Sequence, residues 1–299
     1  LDHNLFGSYL KLHFVVLIYG FTAILGKLIN LPATQLVWYR MFIAALSFIL
    51  LFRINRVDFR LSRPDLFRIL FVGVIVALHW ITFFGAIKLS NISVTLGCLA
   101  STTLFASILE PIFLKKKVSV LEVFIGLFII VGLYLIFQFE TRYTIGIIVA
   151  LISAFLGCLF TVLNKKLIIK HNASVISFYE MLGGFGVITI YMIASGELPD
   201  ELKLPSNIDI FYLLLLGVVC TAYAFAVNVK VMERLSAYVV TLSINLEPVY
   251  GIILAYIFFK DSELMTPGFY AGTVIILLSV LGYPVLKRVR KRKAVMGKL

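Results

Sequence analysis

Ten apolar stretches of 18 to 23 residues follow one another along this 299-residue chain, at 12–31, 35–52, 66–87, 92–114, 118–137, 143–164, 174–194, 210–229, 237–259 and 267–286. Each is bounded by charge, proline or asparagine, and each is close to the roughly 20 residues a helix needs to cross the hydrocarbon of a bilayer. Lipid offers no partner to backbone N–H and C=O groups, so spans of this kind have to be helical. The pattern predicts an all-α integral membrane protein of ten transmembrane helices. Composition agrees, with 61% hydrophobic and 14% charged residues, against about 45–50% and about 25% in soluble domains. The connections are short, which leaves no room for a receptor ectodomain, a nucleotide-binding cassette or an attached soluble enzyme.

Lysine and arginine are retained in cytoplasmic loops, and here they are unevenly shared. One set of alternate connections, with the tail, holds 21 of the 27, from Lys11 through Arg53–Arg68, Lys115–Lys117 and Lys165–Lys170 to the run at 287–293. The other set holds Lys88, Arg142, Lys203 and Lys260, and the remaining two, Lys27 and Arg40, lie within spans. Both termini are therefore expected in the cytoplasm, which requires an even number of crossings and supports ten. The basic run follows a span directly and reads as an anchor to anionic lipid; the net charge of +12 is thereby accounted for without nucleic acid. No small-residue cleavage site follows the first span, which is expected to be retained. Cys98, Cys158 and Cys220 lie singly inside apolar runs about 60 residues apart and have no metal or redox spacing.

The two halves match each other. Val37-Trp38-Tyr39-Arg40-Met41 falls on Ser177-Phe178-Tyr179-Glu180-Met181 at an offset of 140, and Phe21-Thr22 and Lys27-Leu28 fall on Phe160-Thr161 and Lys166-Leu167 at 139. Further on, Leu104 falls on Pro248 at 144, and Gly126 with Ile129-Ile130 falls on Gly272 with Ile275-Ile276 at 146. The chain divides into residues 1–140 and 141–299, five helices each. An odd number per half makes the second copy enter from the opposite face, so the repeat is expected to be inverted, the usual construction of carriers that expose a midplane site to each side in turn.

These features resemble the drug/metabolite transporter superfamily, in particular its ten-helix EamA-type members, over nearly the whole chain. The residues that carry the resemblance are Tyr39-Arg40 opening the second span, Asn245-Leu246-Glu247-Pro248-Val249-Tyr250 in the ninth, and Glu263 nine residues ahead of Gly272. The first half departs from the pattern at Leu104, where proline is common, and at Lys117, where glutamate is common. The resemblance implies two five-helix bundles around a central cavity in a bacterial cytoplasmic membrane. It also implies movement of small organic solutes, often amino acids, with export the expected direction.

An ionisable residue deep in a span costs about 2.5–3.5 kcal/mol on insertion scales and is a functional candidate by default. Glu247 lies near the middle of the ninth span, followed by Pro248, whose ring and missing N–H kink or break a helix. It is expected to bind a proton or a cationic group of the substrate; the alternative is a buried salt bridge or hydrogen bond between helices. His79, Trp80, Phe83 and Phe84 form an aromatic stretch at similar depth that could line a cavity, with aromatic packing as the alternative. Tyr19, Thr22, Thr102, Tyr223 and Asn245 complete the candidate substrate-binding set. Arg40 and Glu180 are read as structural ion pairs or gating residues at different depths, Lys27 and Lys88 as snorkelling outward, and Glu110 with Lys115 as a surface pair. The glycines fit close helix approach. No phosphate-loop pattern is present, and with four histidines, two of them (His3 and His171) in flanking regions, the spans show no spacing of nucleophile, metal ligands or carboxylate dyad that an intramembrane enzyme would need. A proton-coupled secondary carrier, monomeric or homodimeric, with substrate and bilayer as partners and no cofactor or metal, is the expected function. An importer or an organellar nucleotide-sugar or phosphate-ester carrier is the alternative, and an intramembrane enzyme is disfavoured.

Overall fold

The structure, a computed structural model, describes residues 3–115, 117, 119–244 and 246–296. Asn245, Lys116 and the side chains of the basic run 287–293 lie outside the described set. All regular structure among the described residues is helical. The first half contains α1 (His3–Leu28), α2 (Ala33–Asn55), α3 (Arg63–Leu89), α4 (Ile92–Leu99), α5 (Thr102–Leu114) and α6 (Val120–Phe139). The second contains α7 (Thr144–Leu167), α8 (Ala173–Ala194), α9 (Asn207–Leu214), α10 (Ala224–Val231), α11 (Ala237–Ile244), α12 (Glu247–Phe259) and α13 (Pro267–Met296). A π-helical stretch, Leu215–Tyr223, joins α9 to α10.

Helix starts follow local chemistry. Ser62, Asn91 and Asn172 cap α3, α4 and α8 with side-chain oxygens that accept from backbone N–H groups, and Ser206 with Asp209 forms a reciprocal capping box on α9, which satisfies donors a helix start leaves open. Eight helical segments among the described residues are long and apolar enough to span a membrane, from Phe6–Leu28 to Asn207–Val231. The continuous helices expected at 92–114 and 237–259 are each broken. The first breaks at Ala100–Ser101 without proline: the Thr102 hydroxyl bonds to the Leu99 carbonyl, and the Ser101 N–H bonds to Cys98 O at 3.0 Å. The Thr102 hydroxyl thus takes up a backbone acceptor that a continuous helix would use. The second restarts at Glu247 with Pro248 in the first turn of α12, where its missing N–H costs nothing.

The halves are interleaved. Helix α3 packs on α7 and α8, α2 on α8, α1 on α10 and α12, and α6 on α13. Large apolar side chains such as Phe67, Phe71, Ile145 and Ile193 stand out from the bundle, as a lipid-facing surface requires. All three cysteines are buried. Small residues set the closest crossings: a Cβ on Gly183 would fall on the Leu70 carbonyl, and one on Gly73 would meet the Glu180 backbone. Gly183→Val is therefore expected to destabilise the α3–α8 contact by about 1–3 kcal/mol. A lower melting temperature in detergent is the expected readout, and an unchanged one would show that the two helices can separate without cost.

Candidate functional site: a charged, aromatic cavity

A cavity of ≈ 680 Å³, its mouth included, opens where α1, α2, α3, α7, α10 and both broken helices meet. Two opposite charges face into it. Arg40, from α2, is only 2% exposed; its guanidinium lies 3.7 Å from the Trp80 ring centroid, and its Nε donates to Thr221 Oγ1 at 2.6 Å. The π-helical stretch presents Thr221 there, and the Thr221 hydroxyl in turn donates to Leu216 O at 2.7 Å; π turns of this kind recur at functional sites. Arg40 Nη1 has no hydrogen-bond partner among the described residues. Glu247, 6% exposed, enters from the first turn of α12, the helix end that favours negative charge. No ion pair between Arg40 and Glu247 occurs among the described contacts.

Between the charges the wall is aromatic and sparsely polar. Trp80 meets Phe225 edge to face at 5.7 Å, and Phe160 lies 5.8 Å from Phe225 and 5.3 Å from the His79 ring. His79 Nδ1 lies 2.8 Å from Ser153 O. A carbonyl can only accept, so Nδ1 carries the hydrogen there. Thr22, Thr161, Asn228 and Thr241 supply hydroxyls and an amide, and the Tyr19 hydroxyl is buried without a hydrogen-bond partner.

Toward each end of the bundle a carboxylate holds the head of a half-helix. Glu263 accepts from Ser93 N at 2.9 Å, Ile92 N at 3.3 Å and Ser93 Oγ at 2.9 Å, all at the start of α4, and pairs with Lys27 Nζ at 2.6 Å. At the other end Glu110 accepts from Tyr238 N, at the start of α11, at 2.7 Å. Two expectations are corrected here. Lys27 does not snorkel away but binds Glu263. Glu110 is 5% exposed, not a surface partner of Lys115, because the unpaired N–H groups of α11 draw the carboxylate inward. Lys117 stands where the repeat calls for a counterpart of Glu263, and Glu110, from the preceding helix, provides the helix-head contact in its place.

Of the expected substrate-binding residues, Tyr19, His79, Trp80, Phe83, Thr102 and Glu247 line the cavity, as does Thr22. Tyr223 does not: it is 51% exposed and packs edge to face on Phe14, because the π-helical stretch directs Thr221 inward and Tyr223 out. Asn245 lies outside the described residues. Arg40 is a cavity residue stacked on Trp80 and makes no ion pair among the described residues. Glu180 makes no ion pair among the described residues and sits fully buried behind the wall. Sequence reasoning missed Phe160, Thr161, Phe225, Asn228 and Thr241. The repeat could have found Thr161, the image of Thr22 at 139; it also pairs Thr102 with Glu247 at 145.

The comparisons with known proteins agree with this architecture. The profile of the EamA-like transporter family matches residues 8–138 and again 144–283, once in each half. A crystal structure described only as that of a protein superposes with a TM-score of 0.70 at 15% identity, covering 94% of this chain and 98% of its own, a likeness of fold. No curated relative matches the sequence. With the profile matched across both halves, the chain belongs to the EamA-like transporter family.

Proposed function

We propose that the protein is a secondary carrier of small zwitterionic metabolites of the amino-acid type. It works by alternating access of one central cavity, with ten spans in two inverted halves, both termini in the cytoplasm and export as the working direction. The observation that carries the reading is the presence of one cation, Arg40, and one carboxylate, Glu247, in a single cavity lined otherwise by aromatic rings, threonines, Asn228 and a few small or aliphatic residues. A substrate carboxylate fits the open donors of Arg40 in the planar geometry that guanidinium favours. A substrate ammonium fits Glu247, and an apolar side chain fits Trp80, Phe83, Phe160 and Phe225. Arg40 also speaks for an anionic solute such as a phosphate ester, but a dianion would meet one guanidinium already engaged by Thr221 and the opposing charge of Glu247. A zwitterion satisfies both groups at once.

The test is counterflow in proteoliposomes: vesicles loaded with unlabelled neutral L-amino acids and diluted into a radiolabelled mixture of the same compounds. Saturable accumulation is expected in the wild type. Glu247→Gln is expected to lower it by about 10–100-fold, since a hydrogen bond to a charged group contributes about 1.5–3 kcal/mol. Absence of counterflow by the wild type, or a Glu247→Gln protein with the wild-type rate, removes the zwitterion assignment.

A further inference from the structure

Glu180 lies in the middle of α8, fully buried, at the repeat position that Arg40 occupies in the first half. The long arginine reaches the cavity, whereas the shorter glutamate stays behind the wall. The Asn164 amide of α7, also fully buried, is within reach of the Glu180 carboxyl. Neither carboxyl oxygen and neither amide atom meets the geometry of a formed hydrogen bond. Ser177 Oγ, one turn away on α8, is likewise buried and without a partner. Buried polar groups are paired in the great majority of cases, so five such atoms, two of them on a carboxyl group that can carry charge, require an explanation.

Ionised Glu180 offers acceptors only, while Asn164 brings one acceptor and two donors. The ionised pair leaves Asn164 Oδ1 without a donor and buries a charge with no cation on it. Protonating Glu180 removes the uncompensated buried charge and gives the carboxyl an O–H to offer Asn164 Oδ1. The charged groups on the surrounding helices are engaged elsewhere or exposed. On α2, Arg40 is held by Thr221 and Trp80 and Arg53 is exposed. On α3, His79 is held by Ser153, Asp65 by Arg68 and His171, and Lys88 by Ile29 O, with Arg63 exposed. On α7, Lys165 donates to Leu235 O and Lys166 lies over Phe113; on α10, Lys230 is exposed.

We infer that Glu180 and Asn164 form a proton-binding site separate from the substrate cavity, occupied by one proton in this conformation. Thr161 of the cavity wall precedes Asn164 by one turn of α7, about 5 Å, so the site is close enough to respond to what the cavity holds. Loading forms the O–H bond on the Glu180 carboxylate with a proton taken from water, and release returns that proton to water when the helices part. Proton binding stands without the substrate assignment, whereas its use in driving transport rests on the carrier reading above.

Infrared difference spectroscopy of the purified protein at neutral pH tests the site without any substrate. One carbonyl band of a protonated carboxylic acid is expected to vanish in Glu180→Gln and to persist in Glu247→Gln. The same band is expected to move to higher frequency in Asn164→Leu, which removes the hydrogen-bonding amide. If Glu180→Gln does not fold, the Asn164→Leu shift decides alone. A carboxylic-acid band that neither substitution alters means that Glu180 is ionised and overturns the site. For coupling, the ratio of proteoliposome uptake of the radiolabelled amino-acid mixture with and without an imposed pH gradient is expected to exceed one in the wild type and to fall to one in Glu180→Gln. A ratio that persists in that variant would leave the band intact but place the driving proton elsewhere.

Discussion

Replacing Arg40 with glutamine is expected to lower amino-acid counterflow by ~10²-fold or more, because taking one partner from a buried charge contact costs about 3–5 kcal/mol. The loss should appear chiefly as a raised KM for substrates that carry a carboxylate. Arg40→Lys keeps the charge but gives up both the planar stack on Trp80 and the Nε bond to Thr221, so it should recover only part of the activity; lysine and arginine are not equivalent at a stacked site. A melting temperature close to the wild type in Arg40→Lys would separate this effect from unfolding. An Arg40→Gln protein with unchanged KM for neutral amino acids would show that the guanidinium does not touch the substrate.

The second large effect is expected at the latch of Glu263. Its carboxylate holds the head of α4 through two backbone N–H groups and draws in Lys27 from α1. Glu263→Gln weakens these charge-assisted bonds, each about 1.5–3 kcal/mol, although Lys27, with its side chain 26% exposed, recovers part of its share from water. The closed form at this end should lose about 10–100-fold in population by the same figures. A cysteine placed at Thr22, in a background where Cys98, Cys158 and Cys220 are replaced by alanine, should react correspondingly faster with a maleimide added from the Lys27 side. Equal rates in the two proteins would mean that Glu263 caps a helix without holding a gate. The matching change at the other end is Glu110→Gln, which releases the head of α11.

Much of this architecture was legible in the chain. Eight of the ten apolar stretches appear as continuous spans or shorter apolar helices close to their expected bounds. The repeat seen in Tyr39-Arg40 and Tyr179-Glu180 reappears as two matches to a single family profile. Glu247 was visible because a carboxylate in an apolar run has few neutral explanations, and it does face the cavity. Tyr223 was legible only as a hydroxyl at a suitable depth, and depth does not say which side of a helix looks inward. The break at Ala100–Ser101 was not legible either. Without a proline it depends on the Thr102 hydroxyl competing for the Leu99 carbonyl, and the same residue types sit harmlessly in α7 and α8.

By itself, then, the sequence determined the number and rough limits of the apolar segments, the halving of the chain, and the presence of a carboxylate where lipid would not tolerate one. Those properties are local or periodic along the chain, and the cost of burying charge or bare backbone enforces them wherever the helices later pack. Tertiary structure alone decided that Arg40 shares a cavity with Glu247, that Glu110 caps α11 instead of meeting Lys115, and that Glu180 is sealed beside Asn164. The reason is that lipid is as apolar as the protein core, so a spanning helix carries no amphipathic stripe to mark its inner face. Which side chains converge is set by the fit of one helix against another, through contacts such as Gly73 on α8 and Gly183 on α3, and that fit exists only once the bundle has formed.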